Sequence, residues 1–315
     1  MRKKRSRLEP YYSFSRYLRD TFGEKVFRVT VDAGFTCPNR DGKKGTGGCI
    51  YCYAGSDYDT EKRRKSVEAQ IREGIERVRR RYGAEKFLVY FQAYTNTYAP
   101  VNVLKSIYDT VKLFPEVVGI IVGTRPDCVP NEVLKLLNSY TDEYLVWIEY
   151  GLESSHYSSL KWMNRGHGVS DFVDAVLRTR KFPKIRVCAH TILGLPTETK
   201  DEMLETADFL AALCIDGVKI HPLHVIRETK LEKIYLEERF KLLSLEEYVD
   251  LVVEFIERLP EKTVVQRVTG EAPQELLIGP EWCTHKEKNK VINRIRERFR
   301  ERGTHQGKLY RFSGC

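Results

Sequence analysis

Three cysteines, Cys37, Cys49 and Cys52, fall within the sixteen residues CPNRDGKKGTGGCIYC at positions 37–52. The stretch is polar and carries Gly42, Gly45, Gly47 and Gly48, a composition that suits neither helix nor strand, so a loop must present the thiols. A tetrahedral structural zinc takes four ligands, commonly as two CxxC pairs. Only one CxxC is present, and the nearest imidazoles, His156 and His167, lie far down the chain. The other reading is an iron–sulfur cube held by thiolates, in which three cysteines leave the fourth iron open for chemistry. Glycines let the backbone wrap closely around such a cube. On these residues alone, a cube and a zinc completed by a distant ligand both stay open.

The remaining bulk properties narrow the setting. A chain of 315 residues with 42% hydrophobic residues can bury a full core. No stretch approaches the ~20 apolar residues that span a bilayer, and MRKKRSRLEPYYSF has charge without the apolar core of a secretory signal. A cytoplasmic protein with no membrane partner is expected, its eight cysteines reduced rather than paired. The net charge of +9 is concentrated at the ends. Five of the first seven residues are Lys or Arg, and Thr284–Arg311 holds ten against three acids. Basic ends point to a polyanion such as RNA, or more blandly to solvated helices with Glu–Arg pairs.

Elements alternate along the chain. Lys25–Asp32, Lys86–Gln92, Val117–Gly123, Tyr144–Tyr150, Ile185–Leu193 and Gly217–His221 are apolar runs of strand length. Helical periodicity marks Glu61–Tyr82, Val101–Phe114, Asn131–Tyr140, Ser170–Lys181, Lys200–Cys214 and Leu245–Leu259, with a short β-like piece at Thr263–Val268. Six strands joined by helical crossovers predict an α/β fold with a parallel sheet, open or curved into a partial barrel. The expected division is a basic arm at 1–24, the partial (β/α)6 TIM-like barrel at 25–225, and a helical extension at 226–315 ending in a basic amphipathic helix with Val291, Ile295 and Phe299 on one face.

The cysteine loop directly follows the first strand, and further motifs follow later strands in order. These are FQAYTNTYAP (91–100), GTRPD (123–127), IEYGLESS (148–155) and ILGLPTET (192–199). Together with CIYC, whose Tyr51 stands beside the last cysteine, they make the chain resemble the radical S-adenosylmethionine (radical SAM) enzymes over roughly residues 25–225. The eleven residues between Cys37 and Cys49 exceed that family's usual spacing. They are similar to the branch holding the Elongator catalytic subunit and the bacterial YhcC/YtqA-type (MnmL) proteins. The resemblance implies a [4Fe-4S] cluster on Cys37, Cys49 and Cys52 and SAM chelated to its open iron. It also implies a 5′-deoxyadenosyl radical that takes hydrogen from substrate, and an electron donor of the flavodoxin or ferredoxin kind. For SAM it implies Tyr51, Gln92, Thr95, Asn96, Glu149, Glu153, Arg165, Ile192, Gly194 and Pro196, although the family's usual Gly-Gly-Glu is absent here.

His221 and His224 at a strand end, and Arg294 and Arg298 on the basic helix, are the substrate candidates; no catalytic residue is singled out. The Elongator-like branch implies tRNA as partner and wobble uridine as target, by conversion of carboxymethylaminomethyluridine to aminomethyluridine. The rivals are a small-molecule substrate such as a porphyrin precursor, which the TRPD wording resembles, and a non-catalytic RNA-binding Fe–S protein. Cys188 and Cys214 read as small core residues, while Cys128, Cys283 and Cys315 have no ligand spacing.

Overall fold

The structure, a computed structural model, describes residues 9–53, 65–238 and 240–314. The N-terminal cations Arg2, Lys3, Lys4, Arg5 and Arg7, the first part of the expected helix at 61–82, and Cys315 lie outside the described residues. All six expected strands form: β1 (Val26–Val31), β2 (Lys86–Phe91), β3 (Val117–Thr124), β4 (Leu145–Glu153), β5 (Ile185–Leu193) and β6 (Gly217–Pro222). They lie side by side in chain order, every pair parallel. After β7 (Val225–Ile226), the short β-like piece becomes β8 (Val264–Arg267), which pairs parallel with β6. The sheet is a curled half-barrel of seven strands and crosses the boundary expected at residue 225. A small antiparallel ribbon, β7 with β9 (Leu277–Gly279), went unread because two- and three-residue strands carry no periodicity.

Alternation along each strand divides the core in two. Phe87, Val89, Phe91, Ile120, Val122, Ile148 and Val187 pack outward under the helices in one large cluster. Their neighbours Leu88, Ile121, Trp147, Cys188 and Val264 form a second cluster on the concave face, with Val26 and Tyr90. Helix α1 (Phe14–Phe22), inside the segment expected as an arm, inserts Phe14 and Leu18 into that second cluster. Ser13 caps it by accepting from the Arg16 amide, and Gly23, at φ 74°, ends it. An apolar plug therefore closes the lumen at the strands' N-terminal end. Above it the inward positions turn polar, with Arg28, Glu149, His190, Lys219 and Gln266. Burying such groups is expensive unless they are paired, and that places chemistry in the upper lumen.

The expected crossover helices are present, most ending one to three residues earlier than read. Beyond the sheet, α9 (Leu245–Glu257) follows α2 (Val67–Tyr82), α3 (Val101–Tyr108), α4 (Asn131–Asn138), α5 (Tyr157–Trp162), α6 (Val169–Thr179), α7 (Lys200–Ala212) and α8 (Lys230–Glu238). The basic helix is α10 (Lys288–Glu301), and Val291, Ile295 and Phe299 are buried on its inner face. Cys188 is fully buried as expected, whereas Cys214 is half-buried at a left-handed φ of 50° after α7 and is disulfide-bonded, against the expectation that every cysteine is reduced. Among the described residues, no helix is long and apolar enough to cross a membrane.

Candidate active site

The cysteine loop leaves β1 and folds on itself through short backbone bonds. Arg40 and Cys52 donate to the carbonyls of Cys37 and Cys49 at 2.8 and 3.0 Å, and Gly48 donates to Asn39 at 2.8 Å. A Cβ on Gly45 would lie 2.2 Å from Asn39 Oδ1, so any side chain there would have to displace the buried Asn39 amide. The segment MNRGH braces the loop from across the barrel. Asn164 Nδ2 donates to the Gly48 carbonyl at 2.7 Å, Asn39 Nδ2 donates to the Asn164 carbonyl at 2.7 Å, and Ile50 N donates to Met163 at 3.0 Å.

Cys37 and Cys49 are buried and Cys52 half-buried, and all three thiols line one cavity of about 320 Å³. Burial pushes the Cys52 thiol up to about 11, with Cys49 adding to the shift. Nitrogen donors surround the sulfurs: Arg165 Nη1 lies 3.5 Å and Asn39 Nδ2 3.6 Å from Cys49 Sγ, and Arg40 Nη1 3.9 Å from Cys52 Sγ. At Cys52 the Arg40 guanidinium opposes the effect of burial without outweighing it. Among the described residues, no three His, Cys, Asp or Glu side chains converge as they would on one metal ion. The zinc reading also loses its distant ligands. Both ring nitrogens of His167 meet carbonyls, those of Gly168 and Gly151, at 3.1 Å, and His156 Nε2 meets the Glu202 carbonyl at 2.8 Å. Three thiols spread around a cavity, with donors aimed at sulfur, fit a cube better than a single ion.

Seven of the residues expected at SAM line the same cavity: Tyr51, Gln92, Thr95, Asn96, Glu149, Glu153 and Arg165. Thr95 Oγ1, Asn96 Oδ1 and Glu149 Oε1 are buried with no hydrogen-bond partner among the described residues. Orphaned acceptors of this kind fit a cationic, multiply donating ligand such as a methionyl ammonium. The loop carrying two of them is strained, since Ala93 and Tyr94 hold left-handed φ values of 93° and 56°. Glu153 is strained likewise at 69°, a cost of roughly 1–3 kcal/mol each that persists only where the surroundings impose it. Arg165 ties this rim together, because Nη2 bonds the Gly151 carbonyl at 2.9 Å and lies 3.3 Å from Glu153 while Nη1 reaches Cys49.

Other expected residues stand elsewhere. Ile192 packs with Ile50, Leu195 and Leu223 behind the cysteine loop, Gly194 is wedged against Leu243, and Pro196 is exposed. His221 reaches the cavity, but His224 Nδ1 is held by the Pro222 carbonyl at 3.1 Å. Arg294 and Arg298, expected to face RNA, are turned instead onto α9. Arg294 lies 2.8 Å from Glu246, and Arg298 pairs with Glu246 and Asp250. The reason is an acidic stripe on α9, Glu246–Asp250–Glu254, at helical spacing.

The sequence reading named Glu149 but missed the two residues that meet it at the centre of the lumen. Lys219 on β6 and His190 on β5 converge on Glu149 of β4, His190 Nε2 at 2.8 Å, and Lys219 also reaches the Tyr90 hydroxyl at 3.1 Å. Burial pushes the Glu149 carboxyl up, but Lys219 and His190 outweigh that and hold it well below the usual carboxylate range. Burial lowers Lys219 to about 8 against the pull of Glu149, and lowers His221 well below its ordinary value, so that ring is neutral. The one sequence signal was a lysine and a histidine two apart in an otherwise apolar strand, which puts both on one face.

A second ion pair anchors the loop and gives a pH prediction. Asp127 accepts from Arg125 Nε and Nη2, both at 2.9 Å, and pairs with Lys44 of the cysteine loop at 2.9 Å. Although burial opposes ionisation, these cations bring its carboxyl down to about 2. A folded-state value below the unfolded ~3.9 gives stability that is present above pH ~4 and lost as pH falls through 2, about 2 kcal/mol in all. Asp127→Asn is expected to unfold at lower urea than wild type at pH 7, with the gap closing by pH 2–3. A gap independent of pH would refute the assignment.

The comparisons with known proteins agree with this geometry. Residues 40–210 match the radical SAM superfamily and residues 215–301 the radical SAM C-terminal domain. The chain is 39% identical to YtqA of Bacillus subtilis over 95% of its own length and 92% of that protein. It is 38% identical to YhcC of Escherichia coli K12 over 84% of its length and 85% of that protein. The solved structure of Elp3 from Methanocaldococcus infernus shares the fold, with a TM-score of 0.67 over 89% of this chain and 64% of that one, at 18% identity.

Proposed function

The chain belongs to the radical SAM superfamily and is a radical SAM enzyme, and from that premise we propose that it modifies the wobble uridine of tRNA. The proposed conversion is of the carboxymethylaminomethyl- to aminomethyluridine type. Cys37, Cys49 and Cys52 would hold the [4Fe-4S] cluster, with a flavodoxin- or ferredoxin-like protein as electron donor. Bound cluster and SAM supply a 5′-deoxyadenosyl radical able to take hydrogen from an unactivated carbon. The chain's own residues do the rest. Arg165 and Arg40 set positive charge beside the sulfurs, while Thr95, Asn96 and Glu153 offer acceptors at the rim. Burial of Glu149, Lys219 and Tyr90 keeps the upper lumen polar but largely free of solvent.

The observation that carries the tRNA reading is a second cavity of about 940 Å³ beside the open edge between β1 and β8. It shares Tyr90, Gln92, Lys219 and Arg267 with the first. Arg19, Lys25 and Arg28 line it, with no carboxylate partner among the described residues. Such cations suit the phosphates of a nucleic acid. The test is anaerobic incubation of the reconstituted enzyme with tRNA, SAM and reductant, followed by nucleoside mass spectrometry. Loss of carboxymethylaminomethyluridine with gain of aminomethyluridine is expected. Continued 5′-deoxyadenosine formation with unchanged nucleosides would sink the tRNA reading and leave the family standing.

A further inference from the structure

Gln266 stands on β8 at the bulge where the β6 pairing shifts register between Val218 and Lys219, and it lines the larger cavity. It is 6% exposed, yet neither its Oε1 nor its Nε2 has a hydrogen-bond partner among the described residues. A buried primary amide with both ends unmade costs about 1–3 kcal/mol for each polar group left dry, so an apolar residue there would serve the fold better. The adjoining Arg267 lines both cavities and is held by Glu271 at 3.1 Å, which fixes the wall beside the amide. Tyr90 lines the same cavity, with the Lys219 ammonium 4.2 Å from its ring centre. An unpaired amide beside an aromatic ring and a cationic edge is a combination with which proteins hold an unstacked base.

We propose that Gln266 is the specificity residue of the substrate site, its amide pairing with the polar edge of the reacting pyrimidine while the cations at the edge take the neighbouring phosphates. A uracil ring presents an N–H donor beside a C=O acceptor, and a carboxamide complements that pair bidentately. This deepens the tRNA reading and rests on it for the identity of the base. A bidentate contact to a base edge is worth ~1–3 kcal/mol of discrimination, roughly 5- to 150-fold in affinity.

The experiment measures binding to the SAM-loaded enzyme of an anticodon stem-loop carrying uridine or 3-methyluridine at the wobble position, and of free uridine 5′-monophosphate. Wild type is expected to prefer uridine at least 5-fold. Gln266→Leu is expected to lose that preference while melting no lower than wild type, since it removes two unpaired polar atoms. Gln266→Glu, which keeps shape and loses the donor, is expected to bind uridine at least 5-fold more weakly and serves if the Leu variant fails to fold. A uridine preference retained in both variants overturns the assignment and leaves the tRNA reading intact. Gln266-dependent binding of the mononucleotide without stem-loop binding upholds the subsite and overturns tRNA. Binding of neither probe overturns both.

Discussion

Cys49→Ala is expected to abolish 5′-deoxyadenosine production and to leave the reconstituted protein with little bound iron, while its fold survives. The middle cysteine carries the largest effect because two donors, Arg165 and Asn39, aim at its sulfur and at neither of the other two. Removing the thiolate takes away a ligand and strands the buried Arg165, whose side chain is then left with Glu153 and the Gly151 carbonyl. The loop keeps its shape, since the Asn39, Asn164 and Gly48 bonds do not pass through the sulfur. Iron and sulfide per chain, the visible absorption of the cluster and the SAM cleavage product are the readouts. Full iron content and normal cleavage in the variant would remove Cys49 from the ligand set.

Much of this frame was legible. β2 reads KFLVYF because its two faces meet different cores, and such runs announce buried parallel strands whatever surrounds them. The cysteine loop was legible because its spacing is local. What was not legible is long-range. Glu149 and Lys219 are seventy positions apart in sequence, and only the half-barrel brings β4 and β6 to face each other across β5. The basic helix misled for the same reason. Its stripe of Val291, Ile295 and Phe299 correctly gave the buried face, but the arginines beside it find Glu246 and Asp250 on the helix at Leu245–Glu257, whose acidic stripe the sequence reading did not connect with them. Among the described residues, Arg19, Lys25 and Arg28 remain for a polyanion at the cavity edge, whereas on α10 the exposed Arg300 meets only the Arg296 carbonyl.

Lys219→Met should cost the fold about 3–5 kcal/mol, the range for breaking a buried pair from one side. Met matches the lysine stem, so little volume is lost, and the penalty comes from the Glu149 carboxylate left fully buried with His190 alone. Its other oxygen, Oε1, already lacks a partner, so no spare donor stands ready to compensate. In a chain this large, the change should lower Tm by roughly 6–20 °C. Glu149→Gln combined with Lys219→Met removes both charges, and the double variant should then lose less than the sum of the singles, a coupling of roughly 1–3 kcal/mol. A Lys219→Met protein as stable as wild type, or strictly additive singles, would show that the pair does not hold the lumen. Should the coupling appear, the polar layer is a unit. Its strongest ion pair then lies directly beneath the cavity lined by the cysteines, and anything bound there meets a Glu149 oxygen already fixed in place.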